Sequence, residues 1–367
     1  MKIVLTGGSS GGHIIPLIAV ARTIKKREID TEFIFIGPKN NFSQKFMQAE
    51  GIDIKHAMSG KMRRYFSLMN IVDIFKIPIG IIQALWHLLW FMPDAIFSKG
   101  GCDTLPVVVA GWIYRIPIMI HESDANPGMA NSILAKFATR VAVSFPSAEA
   151  YFPAAQVVIT GSPLREDINQ GSAENARALF SLSESRKTIF VFGGSQGAKI
   201  INEKVLEILP EILKSYQVIH QTGEKNFKEV EKRAGELGIK NGYGGYCAIP
   251  FIGEDIKDIF AVSDLVISRA GSSSISEIAA NGKPAIIIPI NKSANDHQRM
   301  NAYSIAKIGG CVVLEEANLG EHILIGNIKD ILENEELRNK LITNIKAFYH
   351  PDAADRIADG IIGMIKS

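Results

Sequence analysis

Two short segments of this 367-residue chain set several glycines beside residues able to handle phosphate and protons. The first is Gly7-Gly8-Ser9-Ser10-Gly11-Gly12-His13, and the second is Gly193-Gly194-Ser195-Gln196-Gly197-Ala198. Residues this small let backbone N–H groups approach an anion, and a helix starting there adds its positive end. Either loop alone also fits a tight strand-to-helix turn, so it is the matching pair that carries the phosphate reading. His13 stands at the start of a helix expected from about Ile15, where the dipole disfavours imidazolium and keeps a neutral base available near pH 7. A lone histidine there equally reads as a hydrogen-bonder of the helix end. A third segment, Ser268 to Glu277, places Ser272, Ser273 and Ser274 at another expected helix start. Their hydroxyls and N–H groups suit an anion, and Glu277 one turn further in suits a ribose diol. Ser274 and Glu277 also fit a capping box. Beyond these, Asn291–Asn301 offers amides suited to sugar hydroxyls, and Arg165 a cation for a departing diphosphate.

These residues need elements to hold them. Short runs rich in Ile and Val alternate with amphipathic stretches, the mark of parallel sheets covered on both faces. Strands are expected at 2–6, 32–36, 95–98, 118–121, 140–144 and 157–160. A second series is expected at 188–192, 217–221, 246–250, 265–268, 285–289 and 311–314. Each series opens with strand, glycine loop and helix. The expected fold is therefore α/β, with two Rossmann-like doubly wound domains facing a cleft and ligands beyond the carboxyl ends of the strands. The Gly161-Ser162-Pro163 punctuation divides the chain into 1–161 and 162–350, and a final helix over 351–367 is expected to pack back on the first domain.

Composition narrows the classes. With 40 Lys+Arg against 38 Asp+Glu, the formal charge of +2 disfavours a nucleic-acid clamp. Residues 1–160 carry +5 and residues 161–367 carry −3, so a modest positive excess on the first half suits an anionic lipid or phosphate partner. Cys102, Cys247 and Cys311 are too few and too far apart for a disulfide framework or a thiolate zinc site. No Asp-x-Asp pair follows a strand and no His-Glu-x-x-His occurs, so neither a metal nor a cofactor is expected. A P-loop and a dinucleotide fingerprint are both missing, which disfavours an NTPase and a dehydrogenase. No signal-peptide core fits before the first glycine loop, so a cytosolic site is expected.

The stretch 77–92 is the most apolar in the chain, yet it is shorter than the roughly 20 residues a bilayer span requires. On a helix, Gln83 and His87 form one narrow polar stripe beside a wide apolar arc. With Lys61, Arg63, Arg64 and Lys76 nearby, this reads as a surface that dips into an anionic membrane. Ile82, Leu85, Trp86, Leu89 and Trp90 would be at the contact. A buried core helix is the alternative.

Together these residues resemble the MurG family, the bacterial peptidoglycan N-acetylglucosaminyltransferases. The resemblance spans essentially the whole chain, through GGSSGGH (7–13), SKGG (98–101), HESDANPGMAN (121–131) and TGSPLRED (160–167). It continues through FGGSQGA (192–198), HQTG (220–223), SRAGSSSISEIAANGKPAIIIP (268–289) and NDHQRMNA (295–302). It implies the GT-B architecture and inverting, metal-independent transfer of N-acetylglucosamine from UDP-N-acetylglucosamine. The implied acceptor is the 4-hydroxyl of undecaprenyl-pyrophosphoryl-N-acetylmuramoyl-pentapeptide (lipid I), at the cytoplasmic face of the cell membrane among the cell-wall synthesis machinery. It also implies that Arg165 and Ser195, with Gln196 beside it, hold the donor diphosphate, and that the backbone of Ile252 meets the uracil. Ser272, Ser273 and Ser274 would surround the phosphates, Glu277 the ribose and Gln298 the sugar. Ser10, Gly11 and Gly12 would approach donor sugar and acceptor diphosphate, with His13 the base and Glu122 the second candidate. The chain departs from the family at Ser9, where a glycine is usual, and at Cys102-Asp103-Thr104. It departs again at Ser123-Asp124, where Gln-Asn is frequent. A transferase with another glycolipid acceptor, and a nucleotide-sugar binder without turnover, remain the alternatives.

Overall fold

A computed structural model describes residues 1–8, 10–60, 68–194, 197–291 and 293–366, except for the side chains at 68–75 and at 294. The chain divides into two compact units, Met1–Arg165 with His350–Ser367, and Glu166–Tyr349. The division falls after Arg165 rather than at Gly161. Gly161 (φ +78°) belongs to the first unit because a Cβ there would come 2.7 Å from His350 Cβ, so the returning chain seats directly on it.

The first unit holds a seven-stranded parallel sheet in the order β3-β2-β1-β4-β5-β6-β7. Its strands are β1 (Lys2–Thr6), β2 (Glu32–Gly37), β3 (Asp53–His56), β4 (Ala95–Ser98), β5 (Ile118–Glu122), β6 (Arg140–Val143) and β7 (Val157–Ile159). Between them run α1 (Gly11–Arg27), α2 (Asn41–Ala49), α3 (Leu68–Phe91), α4 (Leu105–Ile113) and α5 (Met129–Leu134). The central strand shows why the run is apolar throughout. Ile3 and Leu5 pack on the face that carries α1, while Val4 packs on the opposite face against Ala84 and Leu88 of α3 and Val107 and Val108 of α4.

The second unit holds a six-stranded parallel sheet, β10-β9-β8-β11-β12-β13. The strands are β8 (Thr188–Phe192), β9 (Gln217–Gln221), β10 (Tyr246–Ile249), β11 (Leu265–Ser268), β12 (Ala285–Ile287) and β13 (Val312–Val313). Its helices are α6 (Ala173–Phe180), α7 (Lys199–Ile212), α8 (Phe227–Glu236), α9 (Ile256–Val262), α10 (Ser272–Ala280), α11 (His297–Lys307), α12 (Glu321–Glu333) and α13 (Glu335–Lys346). The last helix, α14 (Ala353–Lys366), belongs to the first unit, where Ile357, Ala358, Ile361 and Met364 join the core beneath α1. Arg27 at the end of α1 pairs with both Asp355 and Asp359 of α14.

Both sheets are doubly wound α/β structures, and each has one point where the strand order reverses. In the first unit it lies between β1 and β4, in the second between β8 and β11. Such a reversal parts the loops beyond the carboxyl ends and opens a crevice for a ligand.

Candidate active site

In the first unit the described residues of the crevice are Gly7, Gly8 and Ser10 after β1 and Lys99-Gly100-Gly101 after β4. The helix starts at Gly11 rather than near Ile15, so His13 lies in its first turn, with its N–H on the Ser10 carbonyl at 3.0 Å. Ser10 Oγ and His13 Nδ1 are 2.8 Å apart. Two glycines bracket the half-buried imidazole: a Cβ on Gly8 would come 3.1 Å from Nδ1, and one on Gly101 3.6 Å from Nε2. Gly101 also sits at φ +89°, a conformation that favours glycine. Burial, reinforced by the Lys99 ammonium, lowers the His13 pKa to about 4 against the opposing pull of Asp103 and Asp124. In the tautomer whose Nδ1–H donates to Ser10 Oγ, Nε2 keeps its lone pair and faces the Gly101 loop. That arrangement can accept a proton from a hydroxyl.

Glu122, the other carboxylate or imidazole proposed as a base, is placed differently. It closes β5, 3% exposed, and both oxygens are taken. Oε1 accepts from Asp124 N at 2.9 Å, while Oε2 accepts from Gly128 N at 3.2 Å and from Asn131 Nδ2 at 2.9 Å. Burial, followed by the neighbouring Asp124 carboxylate, pushes its pKa up. Asn131 completes a relay, because its Oδ1 accepts from Gly101 N at 3.0 Å. Glu122 therefore shapes the 122–131 loop and, through Asn131, the glycine that faces His13. Glu122→Ala removes the carboxylate that three donors share and is expected to cost about 3 kcal/mol of stability, read as a lowered thermal unfolding midpoint. An unchanged midpoint would remove this structural role.

Lys99 is a group the sequence reading did not single out. It is 3% exposed, and its ammonium donates to Ser123 Oγ. A lysine directly after a fully buried strand and before two glycines was the available signal. His121 beside it is wholly buried, with Nε2 3.0 Å from the Gly161 carbonyl, and burial holds its pKa well below the usual range.

In the second unit the described candidates all follow strands at the carboxyl edge of the sheet. Gly271 caps α10 through its backbone, and no side-chain hydrogen bond caps the helix. The Ser274–Glu277 capping box is therefore not formed, and Ser272, Ser273 and Ser274 stand half-buried in the first turn with their hydroxyls uncommitted to it. Beneath the loop, Arg269 is 8% exposed, pairs with Glu316 at 2.7 Å and donates to the Ile288 carbonyl at 3.2 Å. Asn301 holds the next carbonyl, that of Ala270, at 3.1 Å. The sequence reading gave Arg269 no role and offered Asn301 among the amides for sugar hydroxyls, whereas Asn301 is wholly buried and supports the loop from beneath. Gln298 Oε1 accepts from Ile290 N at 3.1 Å, which turns its amide hydrogens toward other acceptors. Ile252 lies in the loop after β10, and Glu277 sits half-buried in α10. Arg165 closes the first unit. Ser195 and Gln196 lie outside the described residues, as does Ser9.

The apolar helix α3 is longer than expected, and Pro78 stands within it. Its polar stripe faces inward. Gln83 Oε1 accepts from Met58 N at 2.8 Å, and His87 Nε2 bonds the His56 carbonyl at 3.1 Å. Ile82 (67%), Trp86 (59%), Leu89 (55%) and Trp90 (69%) are exposed, beside Trp112, Ile113 and Tyr114 at the end of α4. Leu85 is half-buried and packs on the core with Leu88, because the phase set by Gln83 and His87 turns it inward. Lys61, Arg63 and Arg64 lie outside the described residues. No described helix is long and apolar enough to cross a membrane.

Comparison with known proteins identifies the family of both units. Residues 3–143 match the glycosyltransferase family 28 N-terminal domain, and residues 188–357 match the family 28 C-terminal domain. A Bacillus cereus protein named UDP-N-acetylglucosamine–N-acetylmuramyl-(pentapeptide) pyrophosphoryl-undecaprenol N-acetylglucosamine transferase 2 is 39% identical, over 92% of this chain and 93% of its own length. A Clostridium perfringens transferase of the same name, without the number, is 40% identical over 91% of each chain. The fold is that of Acinetobacter baumannii MurG, whose crystal structure matches with a TM-score of 0.77, 23% identity and 99% coverage of both chains. It is shared by a Neisseria meningitidis UDP-GlcNAc 2-epimerase bound to UDP-GlcNAc, at a TM-score of 0.72 and 13% identity over 99% of this chain and 100% of that one. With both domains matched in order and relatives this similar along nearly its full length, the chain belongs to glycosyltransferase family 28 and, within it, to the MurG family.

Proposed function

We propose that this chain performs the reaction for which its relatives are named. It transfers N-acetylglucosamine from UDP-N-acetylglucosamine to undecaprenyl-pyrophosphoryl-N-acetylmuramoyl-pentapeptide, making lipid II for peptidoglycan. The observation that carries the geometry is His13, a neutral imidazole tied to Ser10 and turned toward a glycine-lined crevice. In our reading the acceptor diphosphate sits at the N-terminus of α1, on Ser10, Gly11 and Gly12. His13 Nε2 then takes the proton of the 4-hydroxyl as that oxygen attacks the anomeric carbon of the donor. The C–O bond to UDP breaks on the opposite side, so configuration inverts and the product linkage is β-1,4.

The second unit holds the donor. Ser272, Ser273 and Ser274, with the positive end of α10, receive the diphosphate and stabilise its growing charge as UDP departs, with Arg165, Ser195 and Gln196 assisting. Glu277 accepts from the ribose hydroxyls, Gln298 donates to the sugar through the amide hydrogens its Oε1 contact leaves available, and the Ile252 backbone pairs with uracil. The test is transfer of labelled N-acetylglucosamine to a short-chain lipid I analogue, with NMR of the new linkage. A β-configured disaccharide lipid is expected, and an α linkage or an unlabelled acceptor would contradict the reading.

We further place the protein at the cytoplasmic face of the membrane as a peripheral protein. The inward-turned polar stripe of α3 supports this, since it leaves Ile82, Trp86, Leu89 and Trp90 together on the outer side. Trp86→Ser with Trp90→Ser is expected to weaken binding to anionic phospholipid vesicles about tenfold in a co-sedimentation assay. Equal binding by the variant would move the contact elsewhere.

A further inference from the structure

The mechanism above leaves one buried charge unused. Lys99 sits at the reversal point of the first sheet, its N–H on the Thr6 carbonyl of β1 at 2.9 Å and its ammonium on Ser123 Oγ. A lysine buried to this degree is costly unless charges around it compensate. Its electrostatic neighbours are Glu122 and Asp124 on one side and the imidazoles of His13 and His121 on the other. Asp103, which accepts from Ser59 Oγ at 2.7 Å, also acts on His13. The crevice thus carries three carboxylates, Glu122, Asp124 and Asp103, close to where the proposed reading puts a diphosphate, and two of them, Asp103 and Asp124, lie at departures from the family pattern.

We propose that Lys99 is a positioning residue of the acceptor crevice, its tethered ammonium serving as counter-ion to Asp124 and Glu122 so that an anionic diphosphate can enter. This rests on the functional reading above. Lys99 and Asp124 then act in opposite senses on one electrostatic balance, so Asp124→Asn offsets the loss of the cation. The cation also works on the base. It opposes the pull of Asp103 and Asp124 on the imidazole, so removing it lets both carboxylates raise the pKa of His13 from about 4.

The experiment compares Lys99→Met, Asp124→Asn and the double variant with the wild type, using a short-chain lipid I analogue as acceptor. Lys99→Met is expected to raise the acceptor KM about tenfold, with UDP affinity unchanged, and Asp124→Asn placed on it is expected to bring KM back to within about threefold. NMR titration of the His13 ring in the free protein reads the same balance without turnover. Its pKa is expected to rise in Lys99→Met, to fall in Asp124→Asn and to return toward the wild-type value in the double variant. A double variant as impaired as Lys99→Met, or a His13 titration indifferent to both substitutions, would overturn the proposal. If Lys99→Met does not fold, Asp124→Asn decides alone, because an unchanged His13 titration there also overturns it. Wild-type protein without acceptor-dependent turnover would instead sink the functional reading, while the titration still decides the role of Lys99.

Discussion

Replacing His13 by alanine is expected to lower kcat about a thousandfold while leaving the affinity for UDP unchanged, because the base and the donor grip lie in separate units. The pH dependence carries more information than the loss itself. In the free protein burial and Lys99 hold the His13 pKa near 4, so the imidazole becomes protonated only as pH falls through that value. The acid limb of kcat/KM, which reports the free enzyme, should therefore lie near pH 4. A diphosphate bound at the N-terminus of α1 adds negative charge beside the ring and favours imidazolium. The acid limb of kcat, which reports the bound complex, should accordingly sit at higher pH. That shift also resolves an apparent mismatch, since a base of such low pKa is weak until the acceptor arrives. Near-native turnover in His13→Ala would remove it as the base. The relay from Glu122 through Asn131 to Gly101 would then be the next place to look.

Glu277→Ala is expected to raise the KM for UDP-N-acetylglucosamine about a hundredfold, because two charge-assisted hydrogen bonds to the ribose diol are lost together. The acceptor KM should stay within about threefold, since no acceptor contact is assigned to α10. The helix start makes this effect interpretable. Gly271 caps α10 through its backbone, so no capping box is lost with the carboxylate. A large drop in stability with an unchanged donor KM would return Glu277 to a structural role.

Much of this site was legible because its parts are local. The two glycine loops, the serine run at 272–274 and the strands that precede them are contiguous segments, and an apolar strand opening onto small residues reads directly as a strand-to-crevice passage. The final helix, expected over 351–367, lies at Ala353–Lys366. Other features depended on distant partners. β3 is an edge strand with exposed Asp53 and His56, so it lacks the apolar run that marked the others. The start of α1 was placed too late because Gly11 and Gly12 are poor helix formers. Packing of Ile14 and Leu17 on the sheet carries the helix back through them.

Hydrogen-bond chemistry was the least visible. Asn131 joins Glu122, nine residues away, to Gly101, thirty residues away, and nothing in either local pattern announces the link. Gln83 and His87 were recognised as a stripe, but its direction depended on backbone groups at 56–58, and that direction turned Leu85 inward. Asp124 looked like an isolated departure from the family pattern. Only the fold brings Lys99 beside it, from the neighbouring strand of the sheet.

The central claim is that this chain carries out acceptor-dependent sugar transfer from a uridine diphosphate donor. The measurement that tests it most directly is release of UDP from UDP-N-acetylglucosamine by the purified protein, with and without a short-chain lipid I analogue. Release that requires the acceptor, and that Glu277→Ala abolishes at donor concentrations near the wild-type KM, is the expected result. Equal release without acceptor would make the protein a hydrolase or a transferase for another acceptor. Tight donor binding with no release in either case would contradict the claim of turnover.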